Sequence, residues 1–289
     1  MSATISVRGL LAAAAGELAS DEAARESEIL LGHALGRERA WLYAHADDAI
    51  DADAAIAFHS LLLRRAAGEP LAYITGRREF WSLDLAVTPD VLIPRPETEL
   101  LVELALQRIP QGRKVDIADL GTGSGAIALA LAHERPQARV VATDRSSAVL
   151  AVARVNAERL GIRNVEFTEG DWCTALGDAR FDLIVSNPPY ISAADPHLAQ
   201  GDLRFEPSDA LASGADGLDA IRTIVRDAPA HLKASGWLLF EHGHEQGDMA
   251  RALLRECRFA EVFSALDLEA RERVSGGRRG EATVSGAVR

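Results

Sequence analysis

Along residues 1–75 apolar positions return at helical intervals, whereas from residue 115 onward they gather into short solid runs separated by glycines, so the chain carries two architectures. Leu10, Leu11, Ala14 and Leu18 mark one helical face, Ile29, Leu30, His33 and Ala34 a second, and Ile56, Leu61, Leu62 and Leu63 a third. Ser20 or Asp21 is placed to cap the second helix. The segment is rich in Ala and Leu and has neither a glycine-rich loop nor a cluster of catalytic residue types, which predicts a small helical bundle. From Gly76 the period changes. Residues 79–88 alternate in a strand-like way and break at Pro89-Asp90, predicting a β-hairpin linker over 76–94. In the stiff stretch Pro94-Arg95-Pro96-Glu97-Thr98-Glu99, the second proline suits the first turn of a helix through Leu100, Leu101, Leu104 and Ala105. Glu97 and Glu99 there read as helix-start electrostatics.

Residues 95–289 alternate strand and helix. Runs at 115–120, 138–143, 165–170, 181–186 and 236–240 have the look of strands in a buried parallel sheet. Helical patterns run through 126–131, through Leu218, Ile221, Ile224 and Val225, and through Leu253 and Leu254. Strand-like segments at 260–268 and 272–275 close the sheet, and the polar tail beyond Gly276 is expected to fray. Residues 191–217, with Pro196, Pro207 and several glycines, form an irregular segment expected to cover a site or meet a partner.

In open α/β sheets ligands bind beyond the carboxyl ends of the strands, so the residues there carry the candidate chemistry. The first strand leads into Gly121-Thr122-Gly123-Ser124-Gly125 and then a helix, an arrangement that turns backbone N–H groups and a positive helix end toward an anionic group. It lacks the lysine of a phosphate-binding loop, but Gly121, Gly123 and Ala126 would also satisfy a dinucleotide fingerprint. The second strand ends at Asp144, a carboxylate suited to both hydroxyls of a ribose. The third ends in Asp171-Trp172, a carboxylate that could accept from an adenine amino group and an indole that could cover its ring. These three strand ends together describe a nucleoside-bearing cofactor.

The fourth strand delivers Asn187-Pro188-Pro189-Tyr190, whose residue types suit the holding of a planar NH2 group. Asn187 offers a side-chain carbonyl to one amino hydrogen and Pro188 a backbone carbonyl to the other. The two prolines hold both acceptors rigidly, and Tyr190 can lie flat against an amide or a base. With both N–H bonds engaged, the nitrogen lone pair can be drawn out of conjugation and aimed at an electrophile. Farther on, Glu241-His242-Gly243-His244-Glu245 resembles a metal motif, but it offers no third ligand at useful spacing, and no metal is expected.

Composition narrows the class. The net charge of −12 disfavours a protein that grips nucleic acid by its phosphates. No apolar stretch reaches bilayer-spanning length, so no membrane partner is expected. Met1-Ser2-Ala3-Thr4-Ile5 lacks the features of a secretory signal, and Cys173 and Cys257 have no paired spacing, so a cytoplasmic protein is expected.

The assembled residues resemble the release factor glutamine methyltransferases, the PrmC/HemK family of S-adenosylmethionine-dependent enzymes. The resemblance rests on Pro70-Leu71-Ala72-Tyr73-Ile74-Thr75-Gly76, Glu79-Phe80-Trp81, Pro94-Arg95-Pro96-Glu97-Thr98-Glu99, the glycine turn, Asn187-Pro188-Pro189-Tyr190, and Asp267-Leu268 before Arg271. It implies a Rossmann-like class I methyltransferase domain with a seven-stranded, mostly parallel sheet over 95–289, behind the helical bundle and the hairpin linker. It implies S-adenosyl-L-methionine as cofactor, held by Gly121 to Gly125, Asp144, Asp171, Trp172 and Asn187. Asn187, Pro188, Pro189 and Tyr190 would hold the substrate, with Asn187, Pro188 and Tyr190 serving catalysis. The implied reaction methylates the side-chain amide nitrogen of the glutamine in the Gly-Gly-Gln loop of class I peptide chain release factors, and the bundle would recognise that partner. The rival with the most similar site is a nucleic-acid adenine N6-methyltransferase, disfavoured by the acidic charge and the lack of a target-recognition domain. A nicotinamide oxidoreductase would need a hydride-transfer acid or base that the chain does not offer, and a non-enzymatic release-factor or ribosome-binding protein would transfer no methyl group.

Overall fold

Five helices use the apolar positions of the N-terminal segment in the computed structural model, which describes residues 5–280. They are α1 (Val7–Ala15), α2 (Ala23–Leu35), α3 (Arg39–Ala44), α4 (Ala52–Ala66) and α5 (Leu71–Thr75). Ser6 caps α1 by accepting from the Gly9 N–H, and Asp51 caps α4 by accepting from the Ala54 N–H. Leu30, Leu31, Phe58 and Leu62 are fully buried at the bundle centre, where each contributes roughly 1.5–3 kcal/mol relative to exposure.

Two sequence expectations fail here. Phe58 and Leu62, four residues apart, set the inward stripe of α4, so Ile56 and Leu63 fall off it and stand 69% and 55% exposed. Ser20 is not the cap of α2, which begins later at Ala23 without a side-chain cap; its hydroxyl accepts from the Glu22 N–H and donates to Glu26 instead.

The chain divides into two compact units, one running through Arg77 and taking in Ala199–Phe205, the other comprising Arg78–Leu198 and the chain from Glu206 onward. In the first unit the Arg65 guanidinium forks onto Glu26 at 2.8 and 2.9 Å and reaches Asp202 at 3.2 Å, while Arg204 donates to the Ala67 carbonyl. This fastens the returning segment 199–205 to the helices, and the Arg65 contact holds the Glu26 carboxyl below its usual range.

Strand β1 (Arg77–Phe80), which enters the second unit after its first residue, is joined to β2 (Leu83–Ala86) through Trp81 and Ser82 at φ of 52° and 58°. Such a mirror-image turn usually uses Asn or Gly. Here anchoring compensates: the Trp81 N–H donates to Glu99 at 2.8 Å and its indole N–H to Glu134 at 2.9 Å. Glu99 is therefore a hairpin anchor as well as a helix-start charge.

A 3-10 turn at Pro96–Thr98 leads into α6 (Glu99–Arg108), and then strand and helix alternate: β3 (Asp116–Leu120), α7 (Ala126–Glu134), β4 (Arg139–Asp144), α8 (Ser147–Leu160), β5 (Val165–Glu169) and β6 (Phe181–Ser186). After β6 come the short α9 (Ser208–Leu211), α10 (Asp219–His231), β7 (Leu232–Glu241), α11 (Gly247–Glu256), β8 (Phe259–Leu266) and β9 (Glu272–Arg279). The sheet order is β5-β4-β3-β6-β7-β9-β8; the first five strands are parallel and β9 runs antiparallel to both its neighbours. This is the seven-stranded, mostly parallel sheet anticipated from the sequence. In β6, Leu183, Ile184 and Val185 are buried because apolar layers cover both faces of the sheet.

The tail expectation is corrected for residues 277–279, which belong to β9. β9 lies between β7 and β8, so Gly277 and Arg278 pair with Leu238 and Trp237 on one side while Arg278 and Arg279 pair with Ala260 and Phe259 on the other, and an interior strand does not fray. The remainder of the expected tail, 281–289, and residues 1–4 of the opening segment lie outside the described residues.

Candidate functional site

Parallel strands β3, β4 and β6 are neighbours in the sheet, so the turns after them share one crevice. Two adjoining cavities of about 250 and 380 Å³ occupy it. Gly121, Asp144, Arg145, Asn187 and Asp209 line both. Thr122, Gly123 and Ser124 line the first cavity, while Asp171, Trp172 and Pro189 line the second. Of the residues singled out from the sequence, Gly125, Pro188 and Tyr190 do not line either cavity.

The glycine turn is held from beneath by Asp119, which the sequence reading passed over. Its Oδ2 accepts from the Thr122 hydroxyl at 2.6 Å and from the Ala128 N–H at the start of α7 at 3.2 Å. Thr122 therefore faces inward with its hydroxyl committed. Asp119 is wholly buried, and burial pushes its carboxyl up to about 7. Asn156 on α8 adds a second brace: its amide donates to the Ser124 and Ala86 carbonyls, both at 2.9 Å, and accepts from the Ala86 N–H, tying the turn to β2. Gly121 has φ of +70°, and a Cβ there would come within 3.1 Å of the Trp172 ring, so the bare backbone lets the indole lie against the turn.

Asp144 at the end of β4 accepts from the Gly123 N–H at 3.2 Å and from the Ser146 N–H at 3.1 Å, one on each oxygen. Burial pushes its pKa up, against the pull of these N–H groups. Each oxygen keeps a lone pair for a ligand hydroxyl. Across the mouth, Arg145 pairs with Asp209 at 2.5 Å. The crevice thus combines a glycine turn, a two-oxygen acceptor and an indole wall, and the donor set and cavity volume fit S-adenosylmethionine.

At the other end, Asn187 follows the last residue of β6 and donates from Nδ2 to the Thr98 hydroxyl at 3.1 Å. Thr98 is itself buried. The Tyr190 hydroxyl donates to Glu241 Oε1 at 3.1 Å, and burial together with that carboxylate pushes the phenol pKa upward. Its main-chain carbonyl accepts from Gln246 Nε2 at 3.0 Å. A Cβ at Gly217, where φ is +78°, would lie 2.1 Å from that same carbonyl, so only glycine admits the approach. The loop after the motif closes on itself, with Ile191 donating to the Leu211 carbonyl and Ser213 to the Ile191 carbonyl, both at 2.9 Å. Glu206 fixes its return by accepting from the Ile93 N–H at 3.1 Å and from Arg95.

Thr98 and Glu241, like Asp119, are site residues that sequence reasoning missed. The available signal was a carboxylate at the end of the apolar run 236–240, which had been read only as part of a metal-like cluster. His242 and His244 do not converge. His242 is buried and bonded to Ser275 and to the Gly243 carbonyl, both at 2.8 Å, and its burial lowers its pKa; His244 is exposed.

Comparison with known proteins extends this picture. Residues 9–76 match the family model of the PrmC N-terminal domain, and residues 97–203 match that of the methyltransferase small domain. The release factor glutamine methyltransferase of Xylella fastidiosa strain Temecula1 is 56% identical over 253 residues, covering 88% of this chain and 92% of that protein. The one from Salmonella typhimurium is 48% identical over 259 residues, covering 90% and 93%. Among solved structures, a methyltransferase from Pyrococcus furiosus aligns with a TM-score of 0.53 at 17% identity, over 77% of this chain and 98% of that one, a likeness of fold. With relatives this similar over nearly its whole length, the chain belongs to the release factor glutamine methyltransferase family.

Proposed function

We propose that this protein methylates the side-chain amide nitrogen of the glutamine in the Gly-Gly-Gln loop of class I peptide chain release factors, with S-adenosyl-L-methionine as donor. The observation that carries the reading is Asn187, whose NH2 is spent on Thr98 so that its carbonyl remains for an acceptor N–H at the end of β6. Gly121 to Gly125 hold the carboxylate end of the cofactor, Asp144 its ribose, and Asp171 and Trp172 its adenine. S-adenosylmethionine, when bound, supplies a methyl group on a positively charged sulfur, an already activated leaving group.

The chain's own residues supply alignment. Asn187 Oδ1 and the Pro188 carbonyl accept the two amide hydrogens of the glutamine, and Tyr190 keeps the amide plane in line. Held by both hydrogens, the nitrogen gives up conjugation more readily, forms its bond to carbon as the sulfur–carbon bond breaks, and releases one proton. No strong base is needed, because the donor brings a positively charged leaving group and the proton can leave as the bond to carbon forms. The modification belongs to translation termination in the cytoplasm, and no helix among the described residues is long and apolar enough to cross a membrane. The bundle is read as the surface that recognises the release factor.

Incubation with labelled donor and release factor, a short Gly-Gly-Gln peptide, DNA or RNA, followed by mass spectrometry, tests this. Label is expected on the glutamine of the factor and, with a higher KM, on that of the peptide. Label on adenine with glutamine untouched would overturn the reading, and equal KM values would remove the bundle from recognition.

A further inference from the structure

Gln246 stands immediately before α11, where a side chain ordinarily bonds back to the free N–H groups of its own helix, yet it makes no such bond. Its amide is spent elsewhere. Nε2 donates to the Tyr190 carbonyl at 3.0 Å and to the Asp216 carbonyl at 3.2 Å, and Oε1 accepts from the Gly243 N–H at 2.9 Å. One side chain therefore joins three stretches of main chain: the end of the Asn-Pro-Pro-Tyr segment, the end of the irregular segment 191–217, and the turn between β7 and α11. A carbonyl only accepts and a backbone N–H only donates, so a single orientation of the amide satisfies all three.

Two glycines make room for this side chain. A Cβ at Gly217 would lie 2.7 Å from Nε2, and one at Gly243 would lie 3.1 Å from Oε1, so a side chain at either position would crowd the amide. Tyr190 is then held at both ends. Its hydroxyl donates to Glu241 Oε1 at 3.1 Å and its carbonyl accepts from Gln246, so both anchors come from residues 241–246, the stretch whose first five residues resemble a metal motif. A ring pinned only at its hydroxyl can still swing with its main chain. Fixing the carbonyl removes that freedom.

We infer that Gln246 is a positioning residue for methyl transfer, a three-way strut that fixes the main chain of Tyr190 and with it the ring against the substrate amide. This rests on the reading of Tyr190 as the wall that keeps the amide in line. Neither Gln246 nor Tyr190, Asp216 or Gly243 lines the two cavities of the crevice, so losing the strut bears on alignment and leaves the cofactor contacts in place.

The test compares Gln246→Met, Gln246→Glu, Tyr190→Ala, Asn187→Ala and the double Gln246→Met/Tyr190→Ala variant in the full chain. Release factor is the substrate, cofactor Kd is measured by calorimetry, and melting temperature checks folding. Methionine and glutamate both keep the length of glutamine, but methionine offers no N–H and an ionised glutamate sets oxygen against two carbonyls. Each is expected to lower kcat about 10- to 30-fold, with KM and cofactor Kd within about threefold. In the Tyr190→Ala background the Gln246→Met change should cost less than about twofold further, because its effect runs through a ring that is no longer there. A merely structural role would lower kcat by the same factor in both backgrounds, and that result would overturn the strut. Gln246→Met and Gln246→Glu turning over like the parent while Asn187→Ala is inactive would also overturn it, and would leave the reading of the site intact. Normal turnover by Asn187→Ala or by Tyr190→Ala would overturn both. Should Gln246→Met fail to fold, Gln246→Glu, alone and in the Tyr190→Ala background, decides the matter in its place.

Discussion

The glycine turn and the Asn-Pro-Pro-Tyr segment, at opposite ends of one crevice, are each backed by a buried carboxylate, yet they are held in different ways. Asp119 stands two residues before Gly121 and grips the turn through the Thr122 hydroxyl and the Ala128 N–H in the first turn of α7, so the ligand-facing surface is main chain fixed by near neighbours. Glu241 reaches the motif only through side chains, with Tyr190 51 residues away in sequence, and Asn187 meets Thr98 across 89 residues. Cradling an anionic ligand group needs backbone N–H groups, which a local turn supplies. Orienting a neutral amide needs a carbonyl with a fixed direction, and a side-chain amide gets that direction only from a partner brought in by the tertiary fold.

The sharpest way to break this contrast is Asn187→Ala. Turnover should fall by about 10³-fold or more while cofactor affinity by calorimetry stays within about twofold, since the loss falls on the transition state. A parallel loss of affinity would mean that the two ends are not separable. Asp144→Ala should do the reverse. It removes a carboxylate with an acceptor oxygen free on each side, so Kd for the cofactor should rise about 10- to 100-fold with turnover at saturation near normal. An unchanged Kd would remove Asp144 from ribose binding.

The smallest effect concerns Asp119, whose pKa is raised by burial to about 7. The folded protein then keeps a proton that the unfolded chain has released above its ordinary carboxyl pKa. The resulting stabilisation is fully present below that unfolded value and is lost as pH rises through about 7. Asp119→Asn lacks this titration, so its unfolding free energy should decline less than that of the parent between about pH 4 and 7, a difference of at most a few kcal/mol read from melting curves. Parallel melting curves for the two proteins would show that Asp119 ionises normally and that the turn is not held by a neutral group.

By itself the sequence determined the order of strands and helices from residue 115 to 240, the seven-stranded sheet through its family resemblance, and the placing of Gly121, Asp144, Trp172 and Asn187 at strand ends. These follow from hydrophobic period and turn residues, which act over a few positions and are legible one window at a time. Only the tertiary structure decided that Ile56 and Leu63 leave the core stripe, that Trp81 and Ser82 make a mirror-image turn, and that Gly276 to Arg279 lie inside the sheet. It also decided which way the Asn187 amide faces, through Thr98. Periodicity records whether a residue is buried. It does not record which distant hydrogen-bond partner awaits it there, because that partner is chosen by the packing of elements far apart in the chain.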